Sequence, residues 1–118
     1  MTLSPQQRAL RAVTEKDWQQ QVVEILQWHG WVVYHTWSSL HSEAGFPDVF
    51  AIHPRSGDRL AAELKRETGK VSPAQLRWLA LIEMAGIDNF VWRPSDVDAV
   101  IERAKGHETS EDAAEVPL

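Results

Sequence analysis

The 118-residue sequence contains no cysteine. Disulfide bonds, thiolate zinc sites and cysteine nucleophiles are therefore excluded. The sequence also has no apolar run near the about 20 residues that span a membrane, and no shorter apolar run typical of a secretory signal. We therefore expect an intracellular, cytoplasmic protein without membrane contact, in which a chain of this length forms one domain with a single core.

The sequence has fewer basic than acidic residues, with 12 Lys and Arg against 17 Asp and Glu and a net charge of −5. Four of the acids lie in residues 106–118, which contain no Lys or Arg. We predict that this acidic tail is disordered. The rest of the chain is close to neutral, and a near-neutral body still binds nucleic acid where its basic side chains cluster. Net charge therefore does not decide whether the partner is a nucleic acid.

Hydrophobic periodicity predicts one domain over residues 14–105, after a loose or short helical lead at residues 1–13. Strands are expected at residues 31–36, 48–53, 60–66 and 89–93. Polar N-cap residues and closing glycines bound three helices, which are expected between Thr14 and Gly30, between Ser72 and Gly86, and after Ser95. The order αβββαβα, with a hairpin before a β-α-β crossover, predicts an α/β fold: a central mixed four-stranded sheet flanked by helices.

Two acids and a lysine are expected at one end of this sheet. Glu63 and Lys65 are two residues apart on a strand, so their side chains point to the same face. The turn at residues 54–58 folds this strand back beside Asp48, which opens the preceding strand, and the two carboxylates can meet across the pair. Converging carboxylates form a hard oxygen site for Mg²⁺ or Mn²⁺, and an ammonium group beside them positions water or a phosphate.

Each of these residues also has a purely structural interpretation. Glu63 and Lys65 are typical of a solvated strand face, and Asp48 after a proline is common in turns. The strand from Leu60 to Leu64 is otherwise apolar, however, and is therefore expected to be central. Two charged side chains on one face of a central strand are costly unless they are paired or used. A functional site is therefore the favoured interpretation.

Four segments carry a resemblance to a known family: Gly45-Phe-Pro-Asp48, Glu63-Leu-Lys65, the segment from Gly69 to Trp78, and the segment from Val91 to Asp96. In this order they resemble a stand-alone VRR-NUC domain of the PD-(D/E)xK nuclease superfamily, over residues 14–104. The resemblance implies a restriction-endonuclease-like αβββαβ core, metal-dependent cleavage of DNA, and an origin in a phage or a bacterium.

The resemblance also implies roles for individual residues. Asp48 and Glu63 would bind Mg²⁺ or Mn²⁺, with the backbone carbonyl of Leu64 as a further ligand. Lys65 would address the attacking water or the scissile phosphate. Gln75 matches a glutamine that accompanies the site in this family.

The sequence departs from the superfamily pattern on the first helix, where a further acid is common. Gln19 occupies that position, and Glu15 lies one turn earlier on the same side. Gln19 would fill the role as a neutral hydrogen-bonding group, or Glu15 would reach the site through water. A third interpretation is that both belong to the polar flank of an amphipathic helix.

Basic residues are expected to form a rim around the acids and to bind the DNA backbone through salt-sensitive contacts. The predicted contacts are Arg66, Lys70 and Arg77, supplemented by Arg55 and Arg59 at the hairpin and by His41 in the loop before the second strand. Nothing in this set reads base edges. We therefore expect selectivity for the structure or the ends of DNA.

These observations together favour a metal-dependent DNA endonuclease of replication, repair or recombination that acts on branched DNA such as a Holliday junction. A junction presents two strands, and a homodimer would supply two sites, with its contact near Trp28 and Trp31, although core packing is an equal alternative for either tryptophan. Two other functions stay open. One is a non-catalytic DNA-binding or assembly module with the same fold. The other is a small-molecule enzyme, although the sequence contains no glycine-rich phosphate-binding loop that would support it.

Overall fold

The computed structural model of the protein describes residues 2–36 and 44–106. These residues form four helices and four strands, with a 3₁₀ turn at Pro94–Asp96. The helices are α1 (Pro5–Ala12), α2 (Glu15–Trp28), α3 (Pro73–Met84) and α4 (Val97–Lys105). The strands are β1 (Val32–His35), β2 (Val49–Ile52), β3 (Arg59–Leu64) and β4 (Asp88–Trp92). Within the described ranges, no helix is long and apolar enough to cross a membrane.

The four strands form one sheet in the order β1-β2-β3-β4. β1 and β3 both run antiparallel to β2, whereas β4 runs parallel to β3 after the crossover through α3. The predicted mixed four-stranded sheet is therefore confirmed. β3 is paired on both sides, and every residue from Leu60 to Leu64 is buried, which confirms the prediction of a central strand.

The two faces of the sheet carry different layers. Alternate residues of β3, including Leu60, Ala62 and Leu64, lie in the main core with Trp18 of α2 and Val100 of α4. The residues between them on β3, Ala61 and Glu63, belong to the opposite face because successive side chains alternate. Helix α3 supplies the cover on that face, as its contacts with β4 and its bond to Glu63 show.

The predictions for individual tryptophans have different outcomes. Trp18, Trp78 and Trp92 lie within apolar sequence patterns that predict core positions, and Trp18 and Trp92 are indeed buried in the core. Trp78 is only half-buried and packs edge-on against Phe46, with ring centroids 5.1 Å apart. Trp31 is 3% exposed and its indole N–H donates to the carbonyl of Ala104, whereas Trp28 is 85% exposed. The proposed dimer contact at Trp31 is therefore wrong, because that side chain belongs to the core.

Local capping explains where the helices begin. The hydroxyl of Thr14 accepts from the Asp17 N–H, and Ser72 forms a capping box with Gln75, so both predicted N-caps are confirmed. The N-terminal lead is the short helix α1, which the sequence left as one of two alternatives. The predicted cap at Ser95 is wrong, since Ser95 lies inside the 3₁₀ turn and α4 starts one residue after Asp96.

Candidate active site

Asp48 and Glu63 lie opposite each other on neighbouring antiparallel strands. Val49 pairs with Ala62, so Asp48, one residue earlier, faces Glu63, one residue later. The Asp48 carboxylate accepts a hydrogen bond of 2.8 Å from the backbone N–H of Leu64. Its backbone carbonyl accepts one of 3.0 Å from the N–H of Thr36. The predicted meeting of the two carboxylates across the pair is therefore present, and Asp48 is held from both sides.

The Glu63 side chain is 2% exposed, although it is a carboxylate. Its Oε1 accepts a hydrogen bond of 2.9 Å from Nε2 of Gln75. Its Oε2 is buried and has no hydrogen-bond partner in residues 2–36 and 44–106. Burial, above all, and then the adjacent Asp48 carboxylate raise the pKa of Glu63 from 4.5 to about 9. The positive charge of Lys65 opposes this rise without cancelling it.

Gln75 connects the site to the start of α3. Its side-chain Oε1 accepts the N–H of Ser72 at 2.8 Å, while its Nε2 donates to Glu63. Both ends of the amide are therefore occupied, which fixes its orientation. The preceding loop must approach this helix end closely: at Gly45, with φ of +86°, a Cβ would lie 2.5 Å from the backbone carbon of Ala74. A side chain at Gly45 would thus displace the first turn of α3.

Lys65 is the first residue after β3 and stays aligned with the sheet. Its N–H donates to the carbonyl of Trp92 at 3.0 Å, and the same carbonyl accepts the indole N–H of Trp18 at 2.9 Å. Strand alternation then places the Lys65 side chain on the face of Glu63, where its charge acts on the Glu63 carboxyl. The site thus contains two carboxylates and one ammonium group.

The structure brings Glu15 of α2 near this site. Its negative charge adds to the rise in the pKa of Glu63, although it is the smallest contribution. Gln19 lies one turn further along α2, where it is half-buried. The packing of α2 through Trp18 determines the positions of both residues relative to the site. The choice between them as the residue that serves the site stays a prediction.

The donor set suits a hard divalent cation. Two carboxylates face each other, one oxygen of Glu63 lacks a partner in the described chain, and burial disfavours the charged form of Glu63 unless a cation compensates it. Among the described residues, no group of three or more His, Cys, Asp or Glu side chains is placed to hold a metal. The side-chain ligands would therefore be Asp48 and Glu63, and further ligands must come from the backbone, as predicted for the Leu64 carbonyl, or from water.

The predicted basic residues fall into two groups. Arg66 and Lys70 lie in the segment between β3 and α3, next to the carboxylates, and Arg77 is exposed on α3. Arg55 lies in the turn between β2 and β3, and Arg59 is the first residue of β3, at the other end of the sheet. Glu63 is four positions after Arg59 on this strand, a distance of about 13 Å. His41 lies outside the described residues.

Three contacts that the sequence did not predict hold the segment after β3 in place. Nη2 of Arg93 donates to the carbonyl of Gly69 at 2.8 Å. The N–H of Ser95 donates to the Glu67 carboxylate at 3.0 Å, and Nη2 of Arg66 donates to the carbonyl of Arg11 at 3.1 Å. The partners are 24 to 55 residues apart in the chain, so no local pattern signals them.

Comparisons with known proteins identify the family and support the fold. The family model of the VRR-NUC domain matches residues 1–96. A solved structure described as a VRR_NUC domain is 30% identical, covers 77% of this chain and 97% of its own, and superposes with a TM-score of 0.64. A second, described as a VRR_NUC domain protein, is 19% identical, covers 80% and 89%, and has a TM-score of 0.57, which supports the fold alone. No curated protein sequence matches the chain.

The family match begins at residue 1 and so includes α1, while the predicted domain limits at residues 14 and 105 stay predictions. It also includes Asp48, Glu63, Lys65 and Gln75, the residues that the fold brings together. The family match, the 30% identical structure and the shared four-stranded architecture agree with one another. The chain therefore belongs to the VRR-NUC domain family of the nuclease superfamily.

Proposed function

We propose that the protein is an endonuclease that hydrolyses phosphodiester bonds in DNA with Mg²⁺ or Mn²⁺. The observation that carries this proposal is the facing pair of half-buried Asp48 and buried Glu63, in which one oxygen of Glu63 has no hydrogen-bond partner in the described chain. A buried carboxylate that faces a second one weakens a fold when no cation binds, and this cost supports a metal-dependent function.

Each residue of the site has a separate proposed role. Asp48 and Glu63 would hold the metal, which would supply activation of water and compensation of charge on the phosphate. Gln75 keeps the Glu63 carboxylate in one orientation by donating to Oε1, and the Leu64 N–H does the same for Asp48. Lys65 presents an ammonium group on the same face, where it orients the scissile phosphate or the attacking water.

The decisive experiment incubates labelled single-strand, duplex, flap and four-way-junction DNAs with the protein and Mg²⁺, Mn²⁺, Ca²⁺ or EDTA. We expect cleavage with Mg²⁺ and Mn²⁺ and little with Ca²⁺, whose looser coordination does not fix in-line geometry. Activity that persists undiminished in EDTA contradicts the proposal. Binding of DNA without cleavage under every metal favours the alternative of a non-catalytic module on a nuclease fold.

Matched variants assign the site. Asp48→Ala, Glu63→Ala and Lys65→Ala should each lower the cleavage rate by about 100-fold or more while the protein stays folded. Lys105→Ala, on α4 near the other end of the sheet, removes the same charge as Lys65→Ala and should leave most of the rate. Wild-type turnover in any of the three site variants rules out its assigned role.

We further propose that the substrate is branched DNA and that the protein acts as a homodimer, because two strands of a junction require two sites. Trp28 is exposed beside Ile25 and Ile101, at a groove between α2 and α4. An exposed tryptophan with apolar neighbours is suited to anchor a contact between two copies. Trp28 therefore replaces the pair of tryptophans as the proposed contact.

A further inference from the structure

Helix α1 carries positive charge but adds nothing to the buried core. None of its eight residues, all within the described chain, is buried. It contains Arg8 and Arg11 and no acidic residue, and both arginines are exposed. Its N-terminus is nevertheless well defined, because Ser4 and Gln7 form a capping box. A helix that is specified by its sequence and contributes no core residue requires another reason to be ordered.

Helix α1 packs at the same end of the sheet as the carboxylates. Nη2 of Arg66 donates to the carbonyl of Arg11, which caps the C-terminal end of α1 with a cation. Helix α1 also contacts the 3₁₀ turn that follows β4. Because β3 and β4 are parallel, the residues that follow both strands lie at the same end of the sheet, where Glu63 and Lys65 also lie.

Chain length sets how far α1 is from the active site. Glu15 is four positions after Arg11, which limits the distance between their Cα atoms to about 14 Å. Trp18, three residues after Glu15, donates its indole N–H to the Trp92 carbonyl. The same carbonyl also accepts the Lys65 N–H, so the start of α2 lies at the site's end of the sheet. Duplex DNA carries one negative charge per about 1.7 Å of its axis, so phosphates beside a scissile phosphate at Glu63 come within reach of arginine side chains on α1.

We propose that α1 is a DNA-backbone arm beside the active site, in which Arg8 and Arg11 contact phosphates that flank the scissile bond. Arg66 anchors the arm through the Arg11 carbonyl. The arm reads no bases, because an arginine on a phosphate carries no sequence information. This inference rests on the proposed nuclease function and identifies part of its substrate-binding surface.

The test compares three variants of the full chain by anisotropy of a labelled duplex in Ca²⁺, over a range of salt concentrations. Arg8→Ala/Arg11→Ala removes two charges from the arm. Arg8→Lys/Arg11→Lys keeps the charge, and Lys105→Ala removes an exposed charge two residues after Arg103, which binds Asp58 at the other end of the sheet. We expect the arm pair with alanine to weaken binding about tenfold and to lower the salt slope by about 2, because two phosphate contacts are lost.

The lysine pair should bind within about threefold of wild type and Lys105→Ala likewise, since neither loses the arm's phosphate charges. Cleavage at saturating DNA should stay near the wild-type rate for the alanine arm pair, whereas the same pair should raise the KM. Equal weakening per charge removed by the alanine arm pair and by Lys105→Ala overturns the inference, as does weak binding by the lysine pair.

The result also separates this inference from the function on which it rests. A wild-type protein that binds and cuts DNA while the alanine arm pair binds equally well overturns the arm alone. A wild-type protein that neither binds nor cuts DNA overturns both. Circular dichroism of each variant should match wild type, because alanine and lysine both favour helix at the exposed positions.

Discussion

Glu63 combines near-complete burial with one carboxylate oxygen that has no partner in the described chain. The neighbouring Asp48 is held in place by the Leu64 N–H and cannot turn away from it. Two carboxyl groups that face each other on neighbouring strands cannot both ionise without a cost in free energy. The pair is therefore a position where the folded protein gives up stability, and a bound cation would restore it by mass action.

The first prediction concerns the pH dependence of stability in EDTA. The folded protein keeps the Glu63 proton up to a pKa of about 9, whereas the unfolded chain loses it at 4.5. The contribution of Glu63 to the free energy of unfolding is therefore fully present below pH 4.5 and is lost as the pH rises to about 9. Urea unfolding between pH 4 and pH 9 should show this fall in wild type.

Glu63→Gln provides the comparison, because it keeps an acceptor oxygen for Gln75 but does not titrate. Its free energy of unfolding should depend less on pH than that of wild type and exceed it at high pH. Glu102→Gln, at an exposed position of α4, should follow the wild-type profile. Identical profiles for wild type and Glu63→Gln would show that Glu63 does not titrate in this range.

The N-terminal turn of α3 is the element that joins helix capping to the site. Ser72 and Gln75 cap the helix, and the same Gln75 amide donates to Glu63. The cap holds Oε1 of the amide, so that only Nε2 faces the carboxylate. The start of a helix thereby sets the orientation of a carboxylate that we propose as a metal ligand.

The second prediction separates these two roles. Gln75→Ala removes the donor to Glu63, and we expect the cleavage rate at low Mg²⁺ to fall about 10- to 100-fold, with half-maximal activity at higher Mg²⁺. Ser72→Ala removes only the hydroxyl cap and should cost about 1 kcal/mol of stability while leaving the Mg²⁺ dependence unchanged. An equal shift in Mg²⁺ dependence for both variants would show that Gln75 acts only through the cap.

Elements with local signals could be predicted from the sequence, and those that depend on distant partners could not. β3 was predictable because four apolar residues surround Glu63, and α3 because Ser72 and Pro73 mark its start. The start of α4 was not predictable, because the Asp96 carboxylate accepts a hydrogen bond from the Arg93 N–H and the Ser95 N–H donates to the Glu67 carboxylate. The double role of Gln75 also required the packing of α3 on the sheet.

The molecule has its candidate site at one end of the sheet and a charged cluster at the other. Arg103 of α4 donates twice to Asp58, at 2.7 and 2.8 Å, and once to Asp88, at 2.9 Å. Its guanidinium carbon lies 5.5 Å from the centre of the Trp31 ring. These contacts raise the pKa of Arg103, chiefly through the bonds to Asp58. One side chain thus ties the hairpin turn, β4 and α4 together.

The third prediction is that Arg103→Ala lowers stability and spares the chemistry. Loss of a charged, mostly buried hydrogen-bond donor should cost about 2 kcal/mol in urea unfolding. Arg103→Lys should recover only part of this, because lysine cannot form the paired bonds. The cleavage rate below the unfolding temperature should match wild type. A specific loss of activity in folded Arg103→Ala would mean that the two ends of the sheet are coupled.

The fourth prediction concerns assembly. Light scattering at micromolar concentration should give the mass of two chains for wild type, since Trp28 leaves a large apolar surface for a second copy to cover. Trp28→Glu places a charge in that contact and should give the mass of one chain. Met84→Glu is the matched control, because Met84 is 83% exposed but lies on α3, and it should stay a dimer. A wild-type mass of one chain, with and without DNA, refutes the homodimer and leaves the nuclease proposal standing, because Asp48, Glu63, Lys65 and Gln75 all belong to a single chain.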